Sequence, residues 1–248
     1  MYKYKMRIAY DGTDFFGWQE QPNVPTIAQT LKNAFARIFG SEGSFVAASR
    51  TDAGVHAQGQ VARFVTDFFF NPESMRIAWN NGLPSSIHII DMRLAPKNFH
   101  PWHNIAYKIY RYHFFLERPL PVFARYGWHY TYCIDEQKLA NVLALFVGMH
   151  NFRAFVTDPG EKNTHLTIDA ITVTYNESMH AYCIEVRGKK FLQHMIRRII
   201  GASLYAARIN TAISLNNIVQ IRDVQDVYHC LPTAPAQGLT LHEVVYME

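Results

Sequence analysis

The chain has 248 residues, 49% hydrophobic, 14% aromatic and 18% charged. That excludes an intrinsically disordered protein and provides for one large domain or two smaller ones. Twenty-four Lys and Arg against 20 Asp and Glu leave a net charge of +4, which permits a nucleic-acid or phosphate partner without demanding one. Three cysteines, Cys133, Cys183 and Cys230, form no CxxC pair, which argues against a disulfide framework or zinc ribbon and for a reducing, cytoplasmic setting.

At the start of the chain Tyr2, Tyr4, Met6, Ile8 and Tyr10 alternate with Lys3, Lys5, Arg7 and Ala9. Period two predicts a half-buried strand ending at the turn signal Asp11-Gly12. Charges within this pattern argue against a signal peptide, and no window approaches the roughly 20 apolar residues of a membrane span. Ile27, Leu31, Phe35 and Ile38 then recur at helical spacing over 26–39, with Thr26 and Gln29 as a capping box and Gly40 as the stop. Strands are expected near 44–49, 60–66, 87–94 and 105–115, with a short helix near 73–81. The stretch Leu116–Trp128 holds Pro119 and Pro121 and is the candidate boundary between domains at 1–115 and 129–248. Beyond it the pattern predicts a helix at 135–147, strands at 166–175 and 180–187, and a long helix at 191–208. Another helix follows Ser214, and a final strand occupies 239–247. Strands and helices alternate unequally in each half, so the fold class is α+β in two units, not one doubly wound sheet.

Three polar clusters could carry chemistry. Ser49-Arg50-Thr51-Asp52-Ala53-Gly54-Val55-His56 lies between two strand-like runs, and loops between rigid strands are where sites tend to be built. An arginine beside Asp52 would keep its carboxylate ionised, fit for nucleophilic or general-base work; the alternative is an Asx-type turn with an incidental ion pair. Tyr10 to Gln19 interleaves aromatics with glycine, which suits either base stacking or a turn with core aromatics. In the third cluster, Gly188 to Arg198, Lys189 and Lys190 precede the long helix. This would be a phosphate site at a helix N-terminus or a solvated basic face. His100-Pro101-Trp102-His103 lacks an acidic or cysteine partner for a metal, and the Walker, GxGxxG, GxSxG and HExxH motifs do not occur.

Taken in order, these runs resemble the TruA-type tRNA pseudouridine synthases. The resemblance rests on Tyr10-Asp-Gly-Thr13 with Gly17-Trp-Gln19, and on Ser49 to His56 with Gly59-Gln-Val61. It continues through Leu83-Pro84, Phe99-His100, Lys108-Ile-Tyr-Arg-Tyr112, Phe191 to Arg197, and Gly238-Leu239. It spans residue 8 to near residue 246, and the Arg-Thr-Asp-Ala-Gly-Val-His run is its most specific part. The resemblance implies two α+β domains with mixed or antiparallel sheets and flanking helices around a central basic cleft. It implies a homodimer, without cofactor or metal, that isomerises uridine to pseudouridine at positions 38, 39 and 40 of the tRNA anticodon stem-loop. Asp52 would then be the nucleophile. Arg50 would fill the place of the extruded uridine and pair with Asp52, Tyr110 would lie against the uracil, and Arg197 would hold the carboxylate ionised. Lys189, Lys190 and His194 would contact the RNA, and Arg111 would add to the basic surface.

The sequence departs from that pattern at Pro101-Trp-His-Asn104, at Leu166 and at Gln193, which bears on RNA contacts and not on the presumed catalytic set. Two rival readings differ in class. One is a non-catalytic RNA-binding protein on the same scaffold; the other is a cofactor-free hydrolase pairing Asp11 with Asp52, as glycosidases pair carboxylates.

Overall fold

The computed structural model describes residues 1–157, 163–211, 217–218 and 232–247. In chain order the elements are β1 (Tyr2–Tyr10), α1 (Ile27–Phe39), β2 (Gly43–Ala47), β3 (His56–Thr66), α2 (Pro72–Gly82), β4 (Ile87–Leu94) and β5 (Ile105–Phe115). There follow β6 (Trp128–His129), α3 (Glu136–Ala144), β7 (Gly148–Asn151), β8 (His165–Asn176), β9 (Ala181–Gly188), α4 (Met195–Ala206) and β10 (Leu239–Tyr246). The fold class is α+β, as the pattern predicts. Of the helix expected after Ser214, only Asn217 and Ile218 fall within the described residues.

The chain forms two compact units, Met1–Ala106 with Thr240–Glu248, and Tyr107–Leu239. They divide earlier than the proline-bearing stretch 116–128, which lies wholly inside the second unit. Two pairings explain the difference. Thr240 and Leu241 of β10 pair in parallel with His56 and Ala57 of β3, which joins the last strand to the first unit. From Lys108 onward β5 pairs with β9, which assigns most of that strand to the second. Proline and glycine mark where a chain turns; they carry no record of which strand it pairs with.

In the first unit β1 pairs antiparallel with β3 on one side and β4 on the other, while β2 adds to the far half of β3. Thr26 caps α1, its hydroxyl accepting from the Gln29 amide at 3.4 Å, and Gly40 closes the helix in the left-handed conformation. The Gln29 side chain donates to Asn33, which engages it away from the cap. Helices α1 and α2 bring Phe35 and Trp79 against Phe64 of β3, with ring centroids 4.6–4.9 Å apart. The Trp79 indole donates to the Leu31 carbonyl at 3.1 Å, so its polar atom is satisfied inside an apolar core. This aromatic cluster makes the sheet a rigid base for the loop that joins β2 to β3.

The second unit is an antiparallel array in the order β5, β9, β8, β7, with the short β6 parallel to the end of β5. Helix α3 buries Leu139, Val142 and Leu143, and α4 buries most of its length from Met195 to Ala206. Among the described residues no helix is long and apolar enough to cross a membrane.

Candidate active site

The loop between β2 and β3 carries Arg50, Thr51, Asp52, Ala53, Gly54 and Val55. Each end is fixed by side chains the strands supply. Gln60 of β3 is fully buried; its amide donates to the Ser49 carbonyl at 2.7 Å and accepts from the Ser49 amide at 3.3 Å. The same amide donates to the Tyr10 hydroxyl at 3.3 Å, and that hydroxyl shares a hydrogen bond of 2.8 Å with the Thr51 hydroxyl. Buried polar groups so connected define one geometry, because leaving any member unpaired costs about 1–3 kcal/mol.

The segment after β1 clamps the loop from outside. The Trp18 amide donates to the Thr51 carbonyl at 3.1 Å, and the Gly54 amide donates to the Phe15 carbonyl at 3.1 Å. Gly17 adopts φ +85°, and a Cβ there would lie 2.5 Å from the Thr51 carbonyl; at Gly12 it would lie 2.1 Å from the Val55 carbonyl. Only glycine lets the two segments lie this close. Tyr10, Phe15 and Trp18 are accordingly buried, so their role is core packing and not base stacking. The Gly12 amide donates to His56 Nδ1 at 3.1 Å, and Asp11 accepts from the amide and hydroxyl of Thr13. Between the buried anchors Thr51 and Val55, Asp52 is half-buried, and Arg50, just before them, is exposed. The arrangement holds one carboxylate on a fixed backbone within reach of solvent, which suits nucleophilic or proton-transfer chemistry.

The second unit carries the remaining candidates. Alternation along β5 puts Lys108, Tyr110, Tyr112 and Phe114 on its buried face. Tyr110 meets Phe191 edge to face at 5.3 Å. Tyr112 donates to the Pro235 carbonyl at 3.0 Å; burial raises its phenol well above the ordinary value, partly offset by the Arg197 charge. Arg197 Nε donates to the Ala234 carbonyl at 2.8 Å, and the Ala234 amide donates to the Arg197 carbonyl. The guanidinium is thereby fixed in direction by the segment before β10. Burial pushes the Lys108 ammonium down to about 8, with the nearby Lys190 charge adding to the effect. Arg111 lies on the opposite face of β5 and pairs with Glu185 at 2.8 Å, so it does not join Lys108 and Tyr110.

Two expectations for the third cluster change. Helix α4 begins at Met195, not near 191, so Lys189 and Lys190 follow the end of β9 at Gly188 and stand outside the first helical turn. His194 takes the N-cap place with φ +61° and makes no side-chain cap; its ring instead meets the Thr157 hydroxyl. The apolar residues Phe191 and Leu192 mimic helical spacing, but Phe191 packs on Tyr110 and Gly188. Sequence reasoning passed over Gln60, Lys108 and Tyr112 as site-forming residues. The readable signal was a polar or charged residue at an inward position of an apolar strand, since burial is rare there without a task.

The chain matches the family model described as tRNA pseudouridine synthase over residues 6–101 and 142–247. Among its relatives is tRNA pseudouridine synthase A 2 of Protochlamydia amoebophila, 33% identical over 252 residues and covering 99% of this chain and 95% of that one. The tRNA pseudouridine synthase A of Latilactobacillus sakei is 34% identical over 249 residues, covering 98% of each chain. That of Thermodesulfovibrio yellowstonii is 31% identical over 264 residues, covering 99% of this chain and all of its own. One matched segment includes the Asp52 loop and the other Arg197, while Lys108, Tyr110 and Tyr112 of β5 lie between the two. The chain belongs to the tRNA pseudouridine synthases, a family of isomerases.

Proposed function

We propose that this protein isomerises uridine to pseudouridine in the anticodon stem-loop of tRNA, at positions 38, 39 and 40, with Asp52 as nucleophile. The observation that carries the reading is the mounting of Asp52: a half-buried carboxylate between two buried anchors, on a loop tied down by Gln60, Tyr10 and Thr51. A pre-positioned group of this kind lowers a barrier by removing the need to reorganise. The reaction breaks the bond from uracil N1 to ribose C1′, turns the base and joins C5 to C1′. C5 loses a proton and N1 gains one, so mass and charge are conserved. Attack of the carboxylate on C1′, attack on the ring and passage through a glycal all satisfy that balance. A uridine held in a stem must leave its stack to be reached, at an unstacking cost of a few kcal/mol, and the exposed Arg50 is assigned to its vacated place. Tyr110 is assigned to the uracil, Arg197 to keeping the carboxylate ionised, and Lys189, Lys190 and His194 to the RNA. The protein acts in the cytoplasm as a homodimer, which light scattering at micromolar concentration checks.

The experiment is incubation with an unmodified tRNA transcript followed by carbodiimide mapping of pseudouridine. Modification at 38, 39 or 40 is expected. Asp52→Asn and Asp52→Ala abolish it while leaving the dissociation constant for tRNA within about threefold, roughly 0.7 kcal/mol. Full turnover by Asp52→Ala refutes the nucleophile assignment.

A further inference from the structure

The turn Pro101–Asn104, between β4 and β5, lies outside the catalytic machinery described above, yet it is held from several sides. Tyr246 donates its hydroxyl proton to the Pro101 carbonyl at 2.9 Å, and the Met247 amide donates to the Asn104 carbonyl at 2.8 Å. The His103 amide donates to the His100 carbonyl at 3.0 Å. Trp102 is pinned at both ends: its amide donates to His100 Nδ1 at 3.3 Å, and its indole N–H donates to the Ala47 carbonyl at 2.6 Å. Ala47 is the last residue of β2, so the indole is anchored where the chain leaves the sheet for Arg50 and Asp52. Trp102 nevertheless remains 55% exposed, whereas Trp18 and Trp79 are buried. His100 meets it edge-on at 5.4 Å and stacks on His103 at 4.6 Å.

Such an exposed indole gains nothing for the fold from its outer face. Its orientation is fixed in advance, so a planar partner could bind it with little further loss of conformational freedom. Positive charge stands close by: the Arg63 guanidinium donates to the Phe99 carbonyl at 3.4 Å, and the Lys5 ammonium lies 4.4 Å from the ring of Tyr246, whose hydroxyl holds the Pro101 carbonyl. A flat aromatic surface beside positive charge fits a nucleobase attached to a phosphate backbone.

We propose that Trp102 is a stacking platform for an unpaired nucleobase of the tRNA, beside the nucleotide presented to Asp52. The proposal rests on the reading of tRNA as substrate and adds a base-contacting residue that fixes where the RNA sits. The test compares the wild-type protein with W102A and W102F in binding an unmodified tRNA transcript at constant salt, with steady-state kinetics in parallel. W102A is expected to weaken binding about tenfold or more and to raise KM while kcat is kept; W102F, which keeps a ring but loses the N–H, stays within about threefold of wild type. Equal binding by W102A and wild type overturns the proposal. Loss in W102F as large as in W102A also overturns it, since the hydrogen bond to Ala47 would then be what matters. Should W102A fail to fold, tryptophan fluorescence decides: tRNA quenches the wild-type emission and most of that quench is absent in W102F, whereas equal quench in both overturns the stacking. Trp102-dependent binding without pseudouridine in the wild-type reaction would count against the catalytic reading alone.

Discussion

Lys108 occupies a place on β5 where an aliphatic residue would satisfy the strand, between apolar neighbours and with little access to water. The folded chain holds its proton with a pKa near 8, against 10.5 for an ordinary lysine, because burial and then Lys190 disfavour the charge. Below pH 8 both folded and unfolded chains carry that proton, and folding bears the full cost of about 3 kcal/mol. Between pH 8 and 10.5 the folded chain gives up its proton first, so stability rises with pH across that window as the cost disappears. Lys108→Met therefore stabilises the protein at pH 7, and its advantage shrinks as denaturant melts are repeated toward pH 10. Parallel pH curves for the two proteins would contradict this. The lysine was visible in the sequence within Lys108-Ile-Tyr-Arg-Tyr112, but its burial was not, because strand periodicity assigns a face without revealing what covers it. Gln60 was hidden for the same reason. Asp52 stood out because arginine, glycine and histidine crowd around it along the chain itself.

At the level of elements, local rules succeeded where the signal is local. Strand β1 buries Tyr4, Met6, Ile8 and Tyr10 as its period-two pattern predicts and leaves Tyr2 exposed at its start, and α1 starts after Thr26 and stops before Gly40. Helix α2 is punctuated as clearly: the Asn71 side chain accepts from the amides of Glu73 and Ser74 at 3.1 Å, with Pro72 in the first turn. Asn71→Ala should cost about 1 kcal/mol, read as a lower melting temperature with the turnover of tRNA unchanged. A fall in kcat instead would mean that α2 reaches further into the site than its packing indicates. Helix α4 starts later than its spacing predicts because Phe191 and Leu192 have helical spacing, and only the tertiary contact of Phe191 with Tyr110 tells otherwise. β6 and β7 were not foreseen, being too short to establish a period.

For the whole molecule, the surplus of four positive charges is small, so RNA affinity depends on where the cations stand. Lys189 and Lys190 are both exposed. If they contact phosphates, replacing both with alanine lowers the slope of log affinity against log salt by about 1.5 and weakens binding to every tRNA alike. An unchanged slope would remove them from the RNA-contacting set. The pattern of strands and helices announces two α+β halves without disclosing that the residues from Thr240 onward join the first.

That assembly sets an order of events during translation. The pairing of His56 and Ala57 with Thr240 and Leu241 puts β10 beside the start of β3, where the Asp52 loop ends, and the turn that carries Trp102 is tied by Tyr246 and Met247. A nascent chain that has displayed its aspartate, its glutamine latch and its glycine clamp still lacks this pairing until β10 leaves the ribosome tunnel. The first unit begins folding early, and the corner that holds Asp52 is completed only once Thr240 and Leu241 have been made.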